Sequence, residues 1–351
     1  MDSADKPSVA WMVYAVLAVA GTVLSQYCLY AWLEEDKKAI ASGSPSDLLS
    51  VFTRFFNDTV SNYMGVALYY SIFTFTCTTL WSFVTEASRR RANVSTLVPA
   101  VVPALSLGVA ACSAVPAFMA LIQRAEARFV PRGMPQYELG ASRAFNILFF
   151  NLMWIVGFIL VMPGTASAWP GGQFDSTVFA VVALAAIAPP FAMPFDGTRG
   201  VQRSDVEAGT PTTATNEDRL SDREFAHYLI MTNSGLTALI GLFVHLYAWA
   251  CILQCGSLAV LYEELTANWA TIFLLVDYVI LVLAAYFWLE VEAMGPVRSA
   301  SSIRSSSRDG PLQWRDLLSV TIFGPICHFS IAFASREYGL LKLDGLQLKS
   351  N

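Results

Sequence analysis

Hydrophobic positions in this chain come in long blocks separated by short polar stretches. Eight apolar runs stand out: Val9–Leu33, Met64–Val84, Leu97–Ile122, Phe145–Met162, Thr177–Pro194, Leu236–Leu261, Trp269–Leu289 and Leu317–Ala334. A helix of about 20 apolar residues crosses a hydrocarbon core about 30 Å thick. The pattern therefore predicts an all-α fold: a polytopic membrane bundle of about eight transmembrane helices, forming one membrane domain over residues 1–351. The fifth run is short and ends in Pro189, Pro190 and Pro194, so a kinked or re-entrant segment is expected there. The first run has no small-x-small cleavage site after it and is read as a span, not a signal peptide.

The polar stretches add detail. In the first, Leu48, Leu49, Phe52, Phe55 and Phe56 share one face of a short helix, lying on the membrane surface or dipping toward a cavity. Residues 195–234 and 293–316 are expected to be flexible extramembrane loops, the first rich in Thr, Asp and Glu, the second in Ser and Arg. The odd-numbered loops carry most of the Lys and Arg. The positive-inside rule then puts both termini in the lumen or outside, although Arg89–Arg91 argues the other way.

The seventh run holds the main chemical candidate. From Asn268 to Ala293 it reads NWATIFLLVDYVILVLAAYFWLEVEA. Asp277 lies about 12 Å of helix rise beyond Trp269, near mid-membrane. An ionisable group at that depth costs at least ~2.5 kcal/mol and is a functional-site hypothesis by default. Leu281, Ala284, Trp288 and Glu292 follow on the same face at about 100° per residue. Two readings stay open for each acid. Asp277 is a reactive group or a satisfied interhelical partner; Glu292 is a relay or an interfacial anchor.

The second and seventh runs align without a gap at an offset of 206 residues. Asn62 matches Asn268, Tyr63 matches Trp269, and Glu86-Ala87 matches Glu292-Ala293, while Ser71 stands where Asp277 stands. If this is a true repeat and not chance likeness of apolar helices, runs one to three and six to eight are copies of a three-helix unit. With two runs between them the copies would be inverted, placing a site at the midplane.

Composition narrows the class. The chain of 351 residues is 55% hydrophobic and 14% charged, and its mean hydropathy is +0.50. A soluble domain carries about 25% charged residues. No basic domain suggests nucleic-acid binding. The six cysteines all lie in apolar runs and read as packed thiols. His227, His245 and His328 are far apart, so no metal site is expected. No cofactor motif is present: no GxGxxG after a strand, P-loop, GxSxG or HExxH. There is also no DDxxD or DxDD.

Isolated acids and aromatics inside a helical bundle can pass a solute or proton, or protonate a lipophilic substrate. A carboxylic acid in an apolar site keeps its proton and serves as a general acid toward an epoxide or alkene. Aromatic faces then stabilise the cation. Tyr69, Tyr70, Phe73, Phe75, Trp81, Tyr278, Phe287 and Trp288 are candidates for that lining. By depth and face, Asp277 is assigned as proton donor, with Glu86 and Glu292 as orienting or relay acids. Phe273 and Trp288 would line the cation path, and Asn62 and Asn268 would hold the substrate head group. The rival is a transporter or exporter of a lipophilic metabolite or ion, against which the sequence offers no clear pair of broken helices. A non-catalytic scaffold, docking through Phe195–Asn233, is a third reading.

The segments NDTVSNY (57–63), Glu86-Ala87-Ser88-Arg89, LGVAACSAVPAFMALIQR (107–124), NWATIFLLVDY with WLEVEA, and TIFGPICHFSIAFASRE (321–337) resemble the ascofuranone-type membrane-bound terpene cyclases of fungal meroterpenoid pathways. The macrophorin-pathway cyclase belongs to the same group. The likeness runs from the first span to Arg336. It implies metal-independent cyclisation of a farnesylated aromatic or cyclohexenone compound, started by protonating an epoxide or alkene. It also implies residence in the endoplasmic reticulum or another endomembrane, a prenylated small-molecule substrate, and association with membrane-bound pathway enzymes. No residue role is carried over from the family.

Overall fold

The computed structural model describes residues 10–44, 46–89, 110–129, 140–161, 216–289 and 314–350. Every regular element among them is a helix: α1 (Ala10–Ala41), α2 (Leu48–Thr59), α3 (Tyr63–Arg89), α4 (Ala111–Phe129), α5 (Ala141–Val161), α6 (Asn216–Cys255), α7 (Leu258–Leu265), α8 (Trp269–Trp288), α9 (Trp314–Phe323) and α10 (Pro325–Ser350). Three stretches are long and apolar enough to cross a membrane: Trp11–Lys38, Asp222–Cys255 and Trp269–Trp288. Ala111–Leu121 and Ala144–Gly157 are shorter apolar helices. The fifth run lies outside the described residues.

Local chemistry explains the helices. α8 contains neither Gly nor Pro and starts on Asn268, whose side chain accepts from Thr271 N. α3 is rich in Thr and Ser yet buried. The hydroxyls of Thr78, Thr79, Ser82 and Thr85 each donate to the carbonyl four residues back, which satisfies these four groups within the helix. α2 starts on Asp47, which accepts from Ser50 N, and turns Phe55 and Phe56 inward. It therefore packs under the bundle. Arg54 ties it to the end of α1 through Asp36, with Nε–Oδ1 at 2.6 Å and Nη2–Oδ2 at 2.9 Å. That paired carboxylate raises the Arg54 guanidinium above its usual range.

Paired contacts fix the helix directions. α3 and α8 run side by side and parallel: Asn62 meets Thr271, Phe75 meets Tyr278, and Phe83 meets Trp288. We call the end where they begin the near end. α1 is antiparallel to α8, with Tyr14 on Phe287 and Tyr27 on Trp269. α6 is antiparallel to α3, since Tyr70 meets Tyr247 edge-on and Met64 clusters with Cys251 and Cys255. α5 runs with α6: Ala141 N donates to Asp222, and Asn151 to Asn233 and Thr237. α10 opposes α6: His227 meets Glu337, while Gly241 abuts Ile326 and His245 abuts Gly324.

These directions correct the sequence reading. The two aligned helices are parallel, so an inverted relationship between them is excluded. The reason is parity. α3 ends and α5 begins at the same far end, whereas a single crossing between them would put these ends on opposite sides. Likewise α8 and α10 both finish at the far end, so Leu317–Ala334 is not a single crossing either. That run is broken at Gly324. Its φ of +84° suits glycine. It closes α9 through Gly324 N to Val320 O and opens α10 through His328 N to Gly324 O, with Pro325 in the first helical position. α4 likewise starts partway through its run, at Ala111. A broken helix is thus present at Gly324, where the sequence offered no clear pair.

Two boundaries also differ. α6 begins at Asn216, so the latter part of the stretch 195–234 is helical; Asn216, Glu217 and Asp218 suit a helix N-terminus. Hydropathy misses this stretch because its buried face mixes polar His227, Asn233 and Ser234 with apolar Ala226 and Ile230. α9 similarly starts at Trp314, inside the stretch 293–316.

Candidate functional site

Asp277 sits near the middle of α8 and is 4% exposed. Its carboxylate meets the first turn of α4: Ala111 N donates to Oδ2 at 3.3 Å, and Cys112 N donates to Oδ1. A helix start leaves N–H groups without intrahelical partners, and a carboxylate there satisfies them and suits the helix dipole. α1 seals the junction. A Cβ on Gly21 would lie 2.6 Å from Cys112 O, so only glycine permits this approach. Asp277 is therefore an interhelical partner in this structure, and it is also an acid inside a spanning helix.

The described members of the stripe read along α8, Asp277, Leu281, Ala284 and Trp288, are buried, and so is Phe273. Its ends reach different neighbours. Phe273 packs edge-on against Phe55 of α2, with ring centroids 5.4 Å apart. Trp288, about 16 Å of rise beyond Asp277, lies 4.4 Å from Phe83 of α3 and within contact of Phe329 and Phe333 of α10. Of the other aromatic candidates, Phe75 and Tyr278 pair with each other, and Phe75 also meets Phe329. Tyr69 and Phe73 form a second group with Phe56. Trp81 stacks on Phe150, while Tyr70 meets Tyr247 and Phe287 meets Tyr14 edge-on.

Asn62 and Asn268 do a different job from the one their sequence position suggests. Asn62 Oδ1 accepts from Gly65 N at 2.6 Å and Asn268 Oδ1 from Thr271 N at 2.8 Å, which caps α3 and α8. Their amides then reach neighbouring elements: Asn62 to Thr271 Oγ1 at 3.5 Å, Asn268 to Asp58 O at 2.9 Å. Asp58 in turn accepts from Trp32 Nε1 at 2.7 Å. The NDTVSNY segment is thus the corner that fastens α1, α2, α3 and α8. Asn62→Ala and Asn268→Ala should each lower stability by about 1 kcal/mol, with Asn→Asp at either position recovering most of it. Thermal unfolding of the four variants in detergent checks this. Glu86 belongs to α3, but its side chain lies outside the described parts, as does Glu292 altogether.

The sequence reading passed over a buried charged cluster at the far end. Arg336 and Glu337 are both fully buried and His227 nearly so. Arg336 Nη1 lies 3.0 Å from Glu337 Oε1, and His227 Nδ1 lies 3.2 Å from Glu337 Oε2. Arg336 also faces the Phe333 ring at 5.6 Å. The signal available was the adjacent Arg-Glu pair ending an apolar run; its histidine partner is 110 residues away, beyond any local pattern. The other two histidines pair elsewhere, His245 with Thr321 O and Trp249, His328 with Tyr286. All six cysteines are free and buried.

No protein-family model, curated protein or solved structure matches the chain.

Proposed function

We propose that the chain is an integral membrane terpene cyclase acting on a farnesylated aromatic or cyclohexenone precursor. The observation that carries this reading is Asp277, a buried acid halfway along an apolar spanning helix, on one stripe with Phe273 and Trp288. Asp277 gives a proton to an epoxide oxygen or an alkene. The electron pair of an internal double bond closes the ring, and loss of a proton from carbon ends the sequence, so product and substrate are isomers unless water intervenes. Aromatic faces such as Phe75, Tyr278 and Trp288 stabilise the travelling cation, and the apolar surroundings keep water from it. Glu86 and Glu292 are the proposed relay acids. The endoplasmic reticulum, where lipophilic prenylated precursors partition, is the proposed location.

The parallel α3–α8 pair supports a revised architecture. α1, α3 and α4 correspond to α6, α8 and α10, as copies related by an axis along the membrane normal. Each copy has two crossings and a helix that starts inside the bundle. α4 then meets Asp277 of the second copy, while the equivalent position on α3 is Ser71, so the acid serves one half only.

A second reading is favoured by one observation. Helices that begin within the bundle, as α4 does at Asp277 and α10 does at Gly324, are typical of transporter binding sites. The two readings separate cleanly. Membranes are incubated with an epoxyfarnesyl phenol, either as sealed vesicles or after permeabilisation. A cyclase yields the same equal-mass product in both. Substrate accumulation only in sealed vesicles, with no new product, would replace the cyclase by the transporter.

A further inference from the structure

Polar residues recur two turns inward from the buried charged cluster, beyond the apolar turn of Ile230 and Phe333. α6 and α10 are antiparallel, so two turns from His227 lead to Ser234 and two turns from Glu337 lead to Ser330, both about 10 Å deeper. Asn151 of α5 lies at that level, with Nδ2 donating to Asn233 Oδ1 at 2.8 Å and to Thr237 Oγ1 at 3.2 Å. Next to Asn151 in the chain, Phe150 stacks on Trp81 of α3. Three side-chain atoms of this layer are buried without a hydrogen-bond partner: Ser330 Oγ, Asn151 Oδ1 and Trp81 Nε1.

A buried polar atom left unpaired is costly, and three at one depth in an apolar bundle point to a common ligand. Their chemistry defines it. Trp81 offers only a donor, Asn151 Oδ1 only an acceptor, and Ser330 either. Water satisfies all three kinds, and buried waters settle where two to four such partners converge. An apolar ligand would satisfy none.

We propose that Ser330, Asn151, Asn233 and Trp81 line a hydrated pocket between α3, α5, α6 and α10. It is entered past Arg336, Glu337 and His227 and admits water and protons to the interior of the bundle. The pocket is separate from Asp277, which faces α4, and does not depend on the cyclase reading.

Cysteine accessibility tests it, because a thiol reacts as the thiolate, which forms in water and not in lipid. Ser330→Cys and Ile331→Cys are compared in the otherwise native protein in membranes; Ile331 is 51% exposed on the outer face of the same helix turn. A charged, water-soluble methanethiosulfonate is applied, and its mass addition is followed over the background of the native cysteines. The pocket requires Ser330→Cys to react at least ~10-fold faster than Ile331→Cys. Ser234→Cys, one helix away at the same depth, should behave as Ser330→Cys does, and it decides the matter if Ser330→Cys does not fold. Folded Ser330→Cys or Ser234→Cys reacting no faster than Ile331→Cys would overturn the proposal.

Discussion

Asp277→Leu is expected to lower the unfolding temperature far more than Asp277→Asn. The carboxylate accepts from Ala111 N and Cys112 N at the start of α4. Leucine removes both acceptors and leaves two buried donors unpaired, a loss of about 2–4 kcal/mol in all. Asparagine keeps one carbonyl oxygen for the pair, so about 1 kcal/mol is expected. Membrane proteins often unfold irreversibly, so the comparison is made at one scan rate in one detergent. If Asp277→Leu is as stable as the wild type, the carboxylate does not hold α4, and the junction with Gly21 must be sustained by packing alone. The asparagine variant is then the useful one for chemistry, since it separates the cap from the proton.

The largest loss of stability is expected for Glu337→Ala. Glu337 is shared by Arg336 and His227, all three buried. Removing one partner from a buried ion pair costs about 3–5 kcal/mol, because the remaining charge stays desolvated. Replacing both charges, as Arg336→Met with Glu337→Leu, should recover much of the loss, since an apolar pair of similar volume carries no such penalty. Unfolding of the single and double variants measures the coupling directly. A double variant less stable than Glu337→Ala alone would show that the charges are needed for something other than each other.

The elements most legible in the sequence are those whose hydropathy and geometry coincide. α8 is the plainest case: a long apolar run with an Asn start, no Gly or Pro, and a buried stripe at the spacing read from the residues. α2 was also legible, because its inward Phe55 and Phe56 sit one turn beyond Phe52. What misled was the assumption that a long apolar run is a crossing. Apolar residues at Leu97–Ile122 and Leu317–Ala334 satisfy the length rule, but hydropathy cannot tell a crossing from a run that breaks inside the bundle. Gly324-Pro325 was the available sign of such a break. One miscounted crossing reverses every later helix, which is why the aligned helices were read as inverted.

The candidate site was half legible. Asp277 was found from depth, but its partners Ala111 and Cys112 donate through the backbone, which leaves no trace in residue type. Asn62 and Asn268 were singled out for their position; a helix start three residues before a free N–H is the commoner use of asparagine there. The Arg336–Glu337–His227 cluster joins two helices far apart in the chain, and only the antiparallel packing of α6 and α10 reveals it.

The most direct test is product formation by purified wild type and Asp277→Asn, matched for thermal stability and supplied with neither metal nor nucleotide. Each is given an epoxyfarnesyl phenol and its unepoxidised parent. The expected result is an isomer of equal mass and shifted retention from one substrate with the wild type, and turnover at least ~100-fold slower with Asp277→Asn. Full turnover by Asp277→Asn would remove the acid from the mechanism. Folded wild type that consumes neither compound would contradict cyclisation of this substrate class.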